Sequence, residues 1–255
     1  MNDQHLQIQN AAQEAGEIAL LHFRKVSSLA VESKGPLDLV TAADRDVERF
    51  LFEQLARLFP EDGVFGEEGS FVEGKSGRIW VIDPIDGTFN FVRGSNDWGV
   101  SIGLFENGAP AYGVVNAPAR GELFAGGGAV PASLNGKPLP ALRGFNRGSA
   151  AVGVGIHPDI PREEGLQLLG AVVNDLQVAF RVTGSSVVSL IDIAKGAVDG
   201  YIGLGIPSWD ILGMLPCLEQ LGVRTTIDWR TAGLDTRLRF VCGTPGLLDI
   251  ASGLA

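Results

Sequence analysis

The chain has 255 residues, 45% of them hydrophobic and 20% charged, with 20 Lys plus Arg against 30 Asp plus Glu and a formal net charge of −10. That is the composition of a globular protein of one to two domains with a sizeable core. An acidic body repels phosphate backbones and anionic lipid, which argues against nucleic acid as its main partner, and no apolar run approaches the roughly 18–20 residues of a membrane span.

The first predicted element is a helix from about residue 3 to 26, with Leu6, Ala12, Ala15, Ile18, Ala19 and Phe23 at helical spacing. This stretch is too polar and too periodic for a signal peptide, so the expectation is a cytoplasmic protein. A loop follows around Lys34-Gly35-Pro36, where Lys34 reads as a solvated side chain. Thr41 then caps a second helix, with Asp44 in its first turn; Val47, Leu51 and Leu55 form its apolar face and Pro60 stops it. After an acidic, Gly-rich stretch over 61–77, Ile79–Ile82 reads as a short buried strand ended by Pro84.

Residues 98–105, 110–116 and 121–125 predict a β-meander, and Asn135-Gly136 a hairpin. In the second half, strands are expected at 150–156, 177–182, 201–204 and 239–242, and helices at 163–173, 185–197, 209–221 and 245–254. The Gly/Pro-rich stretch at 135–148 predicts a division into an N-terminal α+β subdomain over 1–140 and a C-terminal α/β subdomain over 141–255. Cys217 and Cys242 fall in apolar elements and read as buried thiols, since two such residues make no disulfide framework and no zinc spacing. His5, His22 and His157 are scattered without a partner at recognisable spacing and read as surface or core positions.

The sharpest chemical signal is Asp83-Pro84-Ile85-Asp86-Gly87-Thr88 at the end of a buried strand. Two carboxylates about 4 Å apart repel by roughly 4 kcal/mol at an effective dielectric of 20, so the pair calls for a cation or a shared proton. Carboxylates beside free backbone N–H groups suit divalent cations with a phosphate above them. Taken alone, the pair also fits an Asx-turn at a helix start, Gly66-Glu67-Glu68-Gly69 fits a solvated turn, and Asp210 after Trp209 fits a first-turn helix acid.

In order, Asp38-Leu39-Val40-Thr41-Ala42-Ala43-Asp44, Gly66-Glu67-Glu68, Asp83–Thr88 and Trp209-Asp210 resemble the inositol monophosphatase family of lithium-sensitive, metal-dependent phosphatases. The likeness runs from about residue 30 to 245. It implies an α/β fold, a layered αβαβα sandwich, and hydrolysis of a small phosphate monoester by water activated at two or three Mg²⁺ ions. In that implied site Glu67, Asp83 and the Ile85 carbonyl hold the first ion, Asp83, Asp86 and Asp210 the second, and Glu67 helps with a weaker third. The resemblance also implies that Thr88 and Asp44 orient the attacking water, that Gly87 and Thr88 N–H groups hold phosphate oxygens, and that Gly184, Ser185 and Ser186 meet the substrate. It further implies a homodimer working on a small phosphorylated metabolite, the N-terminal subdomain carrying the metal site and the C-terminal one supplying Asp210.

The chain departs from the family pattern at Gly69, where Ser or Thr is usual, and at Ile211-Leu212-Gly213-Met214, where Ala-Ala is usual. Seven residues before Asp210, Gly203 stands where inositol-phosphate users carry a Glu, in an apolar setting that discriminates poorly in favour of a polyol. Histidinol phosphate, fructose 1,6-bisphosphate and 3′-phosphoadenosine nucleotides are therefore alternative substrates, and a regulatory binding protein of the same family is the alternative of another class.

Overall fold

The computed structural model describes residues 3–28, 30–35 and 38–254; Pro36 of the first loop lies outside the described residues. The chain begins with α1 (Asp3–Phe23), whose Ala12, Ala15 and Ala19 are buried. Strands β1 (Val31–Gly35) and β2 (Asp38–Thr41) follow as an antiparallel pair, Val31 opposite Thr41. This replaces the expected loop, because Val-Glu-Ser-Lys-Gly carries no alternation by which a strand is read from sequence. Helix α2 (Ala42–Leu58) starts with a capping box: the Ala43 N–H donates to Thr41 Oγ1 (3.1 Å), and the Thr41 N–H donates to Asp44 Oδ2 (2.8 Å).

The next elements are β3 (Gly63–Gly66), β4 (Phe71–Val72), β5 (Arg78–Asp86), the one-turn α3 (Thr88–Val92), β6 (Gly99–Glu106), β7 (Ala109–Ala117), β8 (Glu122–Gly127), β9 (Val130–Leu134) and β10 (Lys137–Pro138). The chain continues through β11 (Ala151–Ile156), α4 (Arg162–Ala171), β12 (Ala179–Arg181), α5 (Ser186–Ala194) and β13 (Gly200–Ile206). It closes with α6 (Trp209–Leu212), α7 (Leu215–Gln220), β14 (Arg224–Thr225), β15 (Leu238–Gly243) and α8 (Pro245–Ala251). The single helix expected over 209–221 is two short ones, because Gly213 interrupts the first and Pro216 begins the second. The Asn135-Gly136 turn joins β9 to β10 with φ of 50° and 73°, as its sequence predicts.

Among the described residues, β10-β9-β8-β7-β6-β5-β3-β4 form one sheet and β12-β11-β13-β15-β14 a second. Three apolar clusters bind the layers. The first joins α1 and α2 to the eight-stranded sheet through Val47, Leu51, Ile82 and Ile102. The second holds α5, α6 and α7 between the sheets through Leu190, Ile211, Leu215 and Phe240, and the third packs α4 and α8 under the five-stranded sheet through Val152, Leu168, Ile202 and Leu247. The result is the expected αβαβα sandwich. Burial of a Leu or Ile side chain contributes about 1.5–3 kcal/mol, so these clusters fix the layers that bring the functional side chains together.

Candidate metal centre and phosphate site

Strand β5 does not stop at Pro84. It continues to Asp86, and the missing proline N–H is absorbed in a bulge: Asp83 faces Ser101 while Asp86 faces Gly99, three residues on one strand against two on the other. In a regular strand, residues three apart point to opposite faces. The extra residue cancels that alternation and brings Asp83 and Asp86 to the same side. The proline between the two acids thus accounts for their spacing.

Strand β3 runs parallel to β5, and the Glu67 N–H donates to Ile82 O (3.2 Å), so Glu67 leaves its strand beside Asp83. Asp210 arrives from the first turn of α6, which Ser101 anchors by donating its hydroxyl to Trp209 O (3.0 Å). One carboxylate oxygen each from Asp83, Asp86 and Asp210 lies within 4.8 Å of the others. Burial, then the neighbouring Glu67 charge, pushes the Asp83 carboxyl well above the usual range; burial, then the Asp86 charge, does the same at Asp210.

Asp86 reaches across to α5. It accepts the Ser185 hydroxyl and the N–H groups of Ser186 (3.2 Å) and Val187 (3.0 Å). Burial still outweighs these bonds and pushes its carboxyl up to about 6. Ser185 caps α5, its Oγ accepting the Val188 N–H (3.0 Å), while Ser186 donates its hydroxyl to Asp210 Oδ2 (2.9 Å). Both serine hydroxyls therefore serve carboxylates, and Ser185 also caps α5. Gly87 stands between, with φ of 87°; a Cβ there would sit 2.9 Å from Asp97 O and 3.0 Å from Ser185 Cβ. Only glycine takes that backbone and lets β5 and α5 approach.

Thr88 donates its hydroxyl toward Asp44 Oδ1 (3.2 Å) and Ile85 O (3.0 Å). Asp44 is fully buried, and burial raises its carboxyl against the opposing bonds from Thr41 and Thr88. The capping box of α2 thus holds one Asp44 oxygen and leaves the other for Thr88.

Asp83 Oδ1 is buried and accepts no hydrogen bond among the described residues. A buried carboxylate oxygen in that condition costs several kcal/mol unless an ion meets it or the carboxyl takes up a proton. The donor set is entirely oxygen, which suits a hard cation of the Mg²⁺ type rather than zinc or copper. The residues present therefore fit a divalent-cation site.

The acids open onto a cavity of about 480 Å³ lined by Glu67, Asp83, Ile85, Asp86, Gly87, Thr88, Gly184, Ser185, Ser186 and Asp210. All the site residues read from sequence meet there except Asp44, which stands behind Thr88. The side chain of Lys34 lies outside the described residues. Gly203 does not line the cavity: a Cβ on it would sit 2.6 Å from the Phe240 ring, which fills that space.

Polar lining residues that were not read as site residues from the sequence include His157, Thr183, Ser189, Tyr201 and Arg237. A signal for His157 existed, since it follows β11 at the carboxyl end of a parallel strand pair, where ligands bind in α/β sheets. Arg237 lies over the Trp209 ring at 6.0 Å and 3.7 Å from Asp159, and its loop is pinned by Ser208 Oγ donating to Leu234 O (2.6 Å). No spacing in the sequence announces that contact.

The model of the inositol monophosphatase family matches residues 2–244. The chain is 34% identical over 213 residues to the Nus factor SuhB of Xylella fastidiosa, covering 83% of this chain and 77% of that one. It is 34% identical over 218 residues to the inositol-1-monophosphatase of Mesorhizobium japonicum and 32% identical over 217 to the histidinol-phosphatase of Chlorobaculum parvum, each match covering 83% of this chain and 80% of the other. The extragenic suppressor protein suhB of Bartonella henselae superposes with a TM-score of 0.84 at 25% identity, over 94% of this chain and 93% of that one. The chain belongs to the inositol monophosphatase family, and its relatives named as phosphatases accord with a phosphoric monoester hydrolase.

Proposed function

We propose that this member of the inositol monophosphatase family hydrolyses a small phosphate monoester with Mg²⁺ held by Glu67, Asp83, the Ile85 carbonyl, Asp86 and Asp210. The observation that carries this reading is the convergence of three carboxylates within 4.8 Å, one with a buried oxygen that accepts no hydrogen bond among the described residues, at the head of a cavity. When bound, two or three Mg²⁺ ions supply charge neutralisation and activation of water.

The chain's own residues do the remainder. Thr88 passes a proton from the attacking water toward Asp44, whose buried carboxyl, held above its ordinary range, is a better base near neutral pH than a solvated one. Gly87 and Thr88 N–H groups hold phosphate oxygens, and Glu67 assists at the water. The backbone of Gly184, Ser185 and Ser186 borders the leaving group. The leaving-group side of the cavity carries Val154, Ile156, Val182 and Ile206, with Phe240 in the space beside Gly203. That surface supports an inositol-phosphate-like monoester without strong preference for a polyol, and histidinol phosphate, fructose 1,6-bisphosphate and 3′-phosphoadenosine nucleotides enter the same panel.

Phosphate release across that panel tests the reading. At least one monoester is expected to turn over in millimolar Mg²⁺, with activity lost in EDTA and in Glu67→Gln; full activity in EDTA would refute it. A second reading is favoured by the likeness to the Nus factor SuhB: the chain also binds a macromolecular partner. Complementation by Glu67→Gln in cells would separate binding from hydrolysis. We further read the protein as a cytoplasmic homodimer. Its two cysteines are buried and unbridged, which accords with a reducing compartment, and no helix among the described residues is long and apolar enough to cross a membrane. Sedimentation would report the dimer.

A further inference from the structure

Tyr201 is a buried tyrosine, 1% exposed, on the central strand of the five-stranded sheet, and the mechanism above does not use it. Its ring lies across β11. A Cβ on Gly153 would sit 3.1 Å from Tyr201 Cδ2, and one on Gly155 would sit 1.8 Å from the hydroxyl oxygen. Two residues apart on a strand, these glycines share a face, and their missing side chains form the slot that the phenol fills. Phe240 closes the slot from β15, edge to face with Tyr201 at 5.8 Å between centroids.

The slot delivers the hydroxyl to Ser186 Oγ at 3.0 Å. Ser186 has one proton, and once Asp210 is ionised, as a metal ligand is, its bond to Asp210 Oδ2 at 2.9 Å uses that proton, since an ionised carboxylate only accepts. Tyr201 must therefore donate to Ser186. The chain of donors runs in one direction, from phenol to serine to carboxylate. It ends on Asp210, the acid supplied by α6 rather than by β5, whose position depends on a four-residue helix.

We propose that Tyr201 is a positioning residue for the metal centre: acting through Ser186, it fixes the rotamer of Asp210 so that one carboxylate oxygen faces Asp83 and Asp86. The inference rests on the metal reading above. Partners behind a metal ligand typically set affinity by about 10-fold or more, and they do so without touching the ion or the substrate.

The test uses the metal-stripped full chain, with Mn²⁺ titrated by calorimetry and thermal melts to confirm folding. Tyr201→Phe keeps the ring and removes only the donor. It is expected to weaken Mn²⁺ binding about 10-fold, and to raise the Mg²⁺ concentration for half-maximal phosphate release by a similar factor while kcat at saturating Mg²⁺ falls far less. Ser186→Ala is expected to weaken binding at least as much, and the double variant no more than Ser186→Ala alone, because the phenol acts through the serine. Gly155→Ala, which keeps both hydroxyls but drives the phenol from its slot, should reproduce the loss. Mn²⁺ binding by Tyr201→Phe equal to that of the unaltered chain, or a double variant weakened by the product of the single effects, would overturn the proposal. An unaltered chain that binds no Mn²⁺ would overturn the metal reading beneath it.

Discussion

Replacing Asp210 by Asn should stabilise the metal-free protein while removing its response to Mg²⁺. The structure sets the size of the effect. Carboxylate oxygens of Asp83, Asp86 and Asp210 lie within 4.8 Å of one another. At an effective dielectric of 20, each ionised pair at that distance costs about 3.5 kcal/mol, and Asp210 takes part in two of the three pairs, for about 7. Proton uptake caps that figure. Burial and the crowded charges hold the Asp83 and Asp210 carboxyls well above the usual range, and a protonated acid repels nothing. Asn keeps an oxygen to accept the Ser186 hydroxyl, but it gives up the attraction of Arg237 for the Asp210 charge. The net expectation is a gain of about 1–2 kcal/mol at pH 8 in EDTA, which for a chain of this size raises Tm by about 2–8 °C. In Mg²⁺ the order reverses: the unaltered protein gains about 3 kcal/mol at a hundredfold excess over Kd and the variant gains little. Differential scanning calorimetry in EDTA and in Mg²⁺, with phosphate release alongside, gives the four numbers required. If Asp210→Asn lowers Tm by the same amount in both conditions, Asp210 is only a helix-start acid and the metal reasoning is wrong.

The same burial sets a pH dependence. Because the folded Asp86 carboxyl sits above its unfolded value, its contribution to stability is full below about pH 4 and is lost as pH rises through about 6. Melts of EDTA-treated protein between pH 4.5 and 8, compared with Asp86→Asn, should show a difference that shrinks at low pH and that Mg²⁺ abolishes. Thr88→Ala should lower kcat by about 10²–10³-fold with Mn²⁺ binding retained in calorimetry, since its hydroxyl bridges Ile85 O and Asp44. Gly203→Glu should lower Tm and bring no gain in KM for inositol 1-phosphate, because its side chain would enter the Phe240 ring rather than the cavity. Leu51→Ala, in the fully buried face of α2, should cost about 2–5 kcal/mol by chemical denaturation without changing the Mg²⁺ requirement.

Local chemistry made much of this protein readable before any coordinates. Thr41 and Asp44 announce a helix start because a capping box closes within four residues, and Asn135-Gly136 announces a hairpin because both residues tolerate positive φ. Of the acidic blocks, Asp83–Asp86 stood out by itself as two carboxylates at a strand end, whereas Glu67 and Asp210 fit a solvated turn and a helix start when taken alone, and the resemblance to the family joined them to the pair. The β1–β2 pair was not legible, since a short exposed strand has no apolar alternation, and neither was the break at Gly213, whose neighbours look helical. The course of β5 past Pro84 depended on a partner strand able to accommodate a bulge.

What only the tertiary structure decided is which side chains stand behind the acids. Tyr201 reaches Ser186 because two glycines on a neighbouring strand leave room for its ring, Phe240 occupies the space beside Gly203, and Arg237 comes to the cavity on a loop held by Ser208. Each is a contact between segments that only sheet packing brings together. A residue's type and its neighbours in sequence carry propensity and charge, whereas the distance between two layers is set by the fit of every side chain between them.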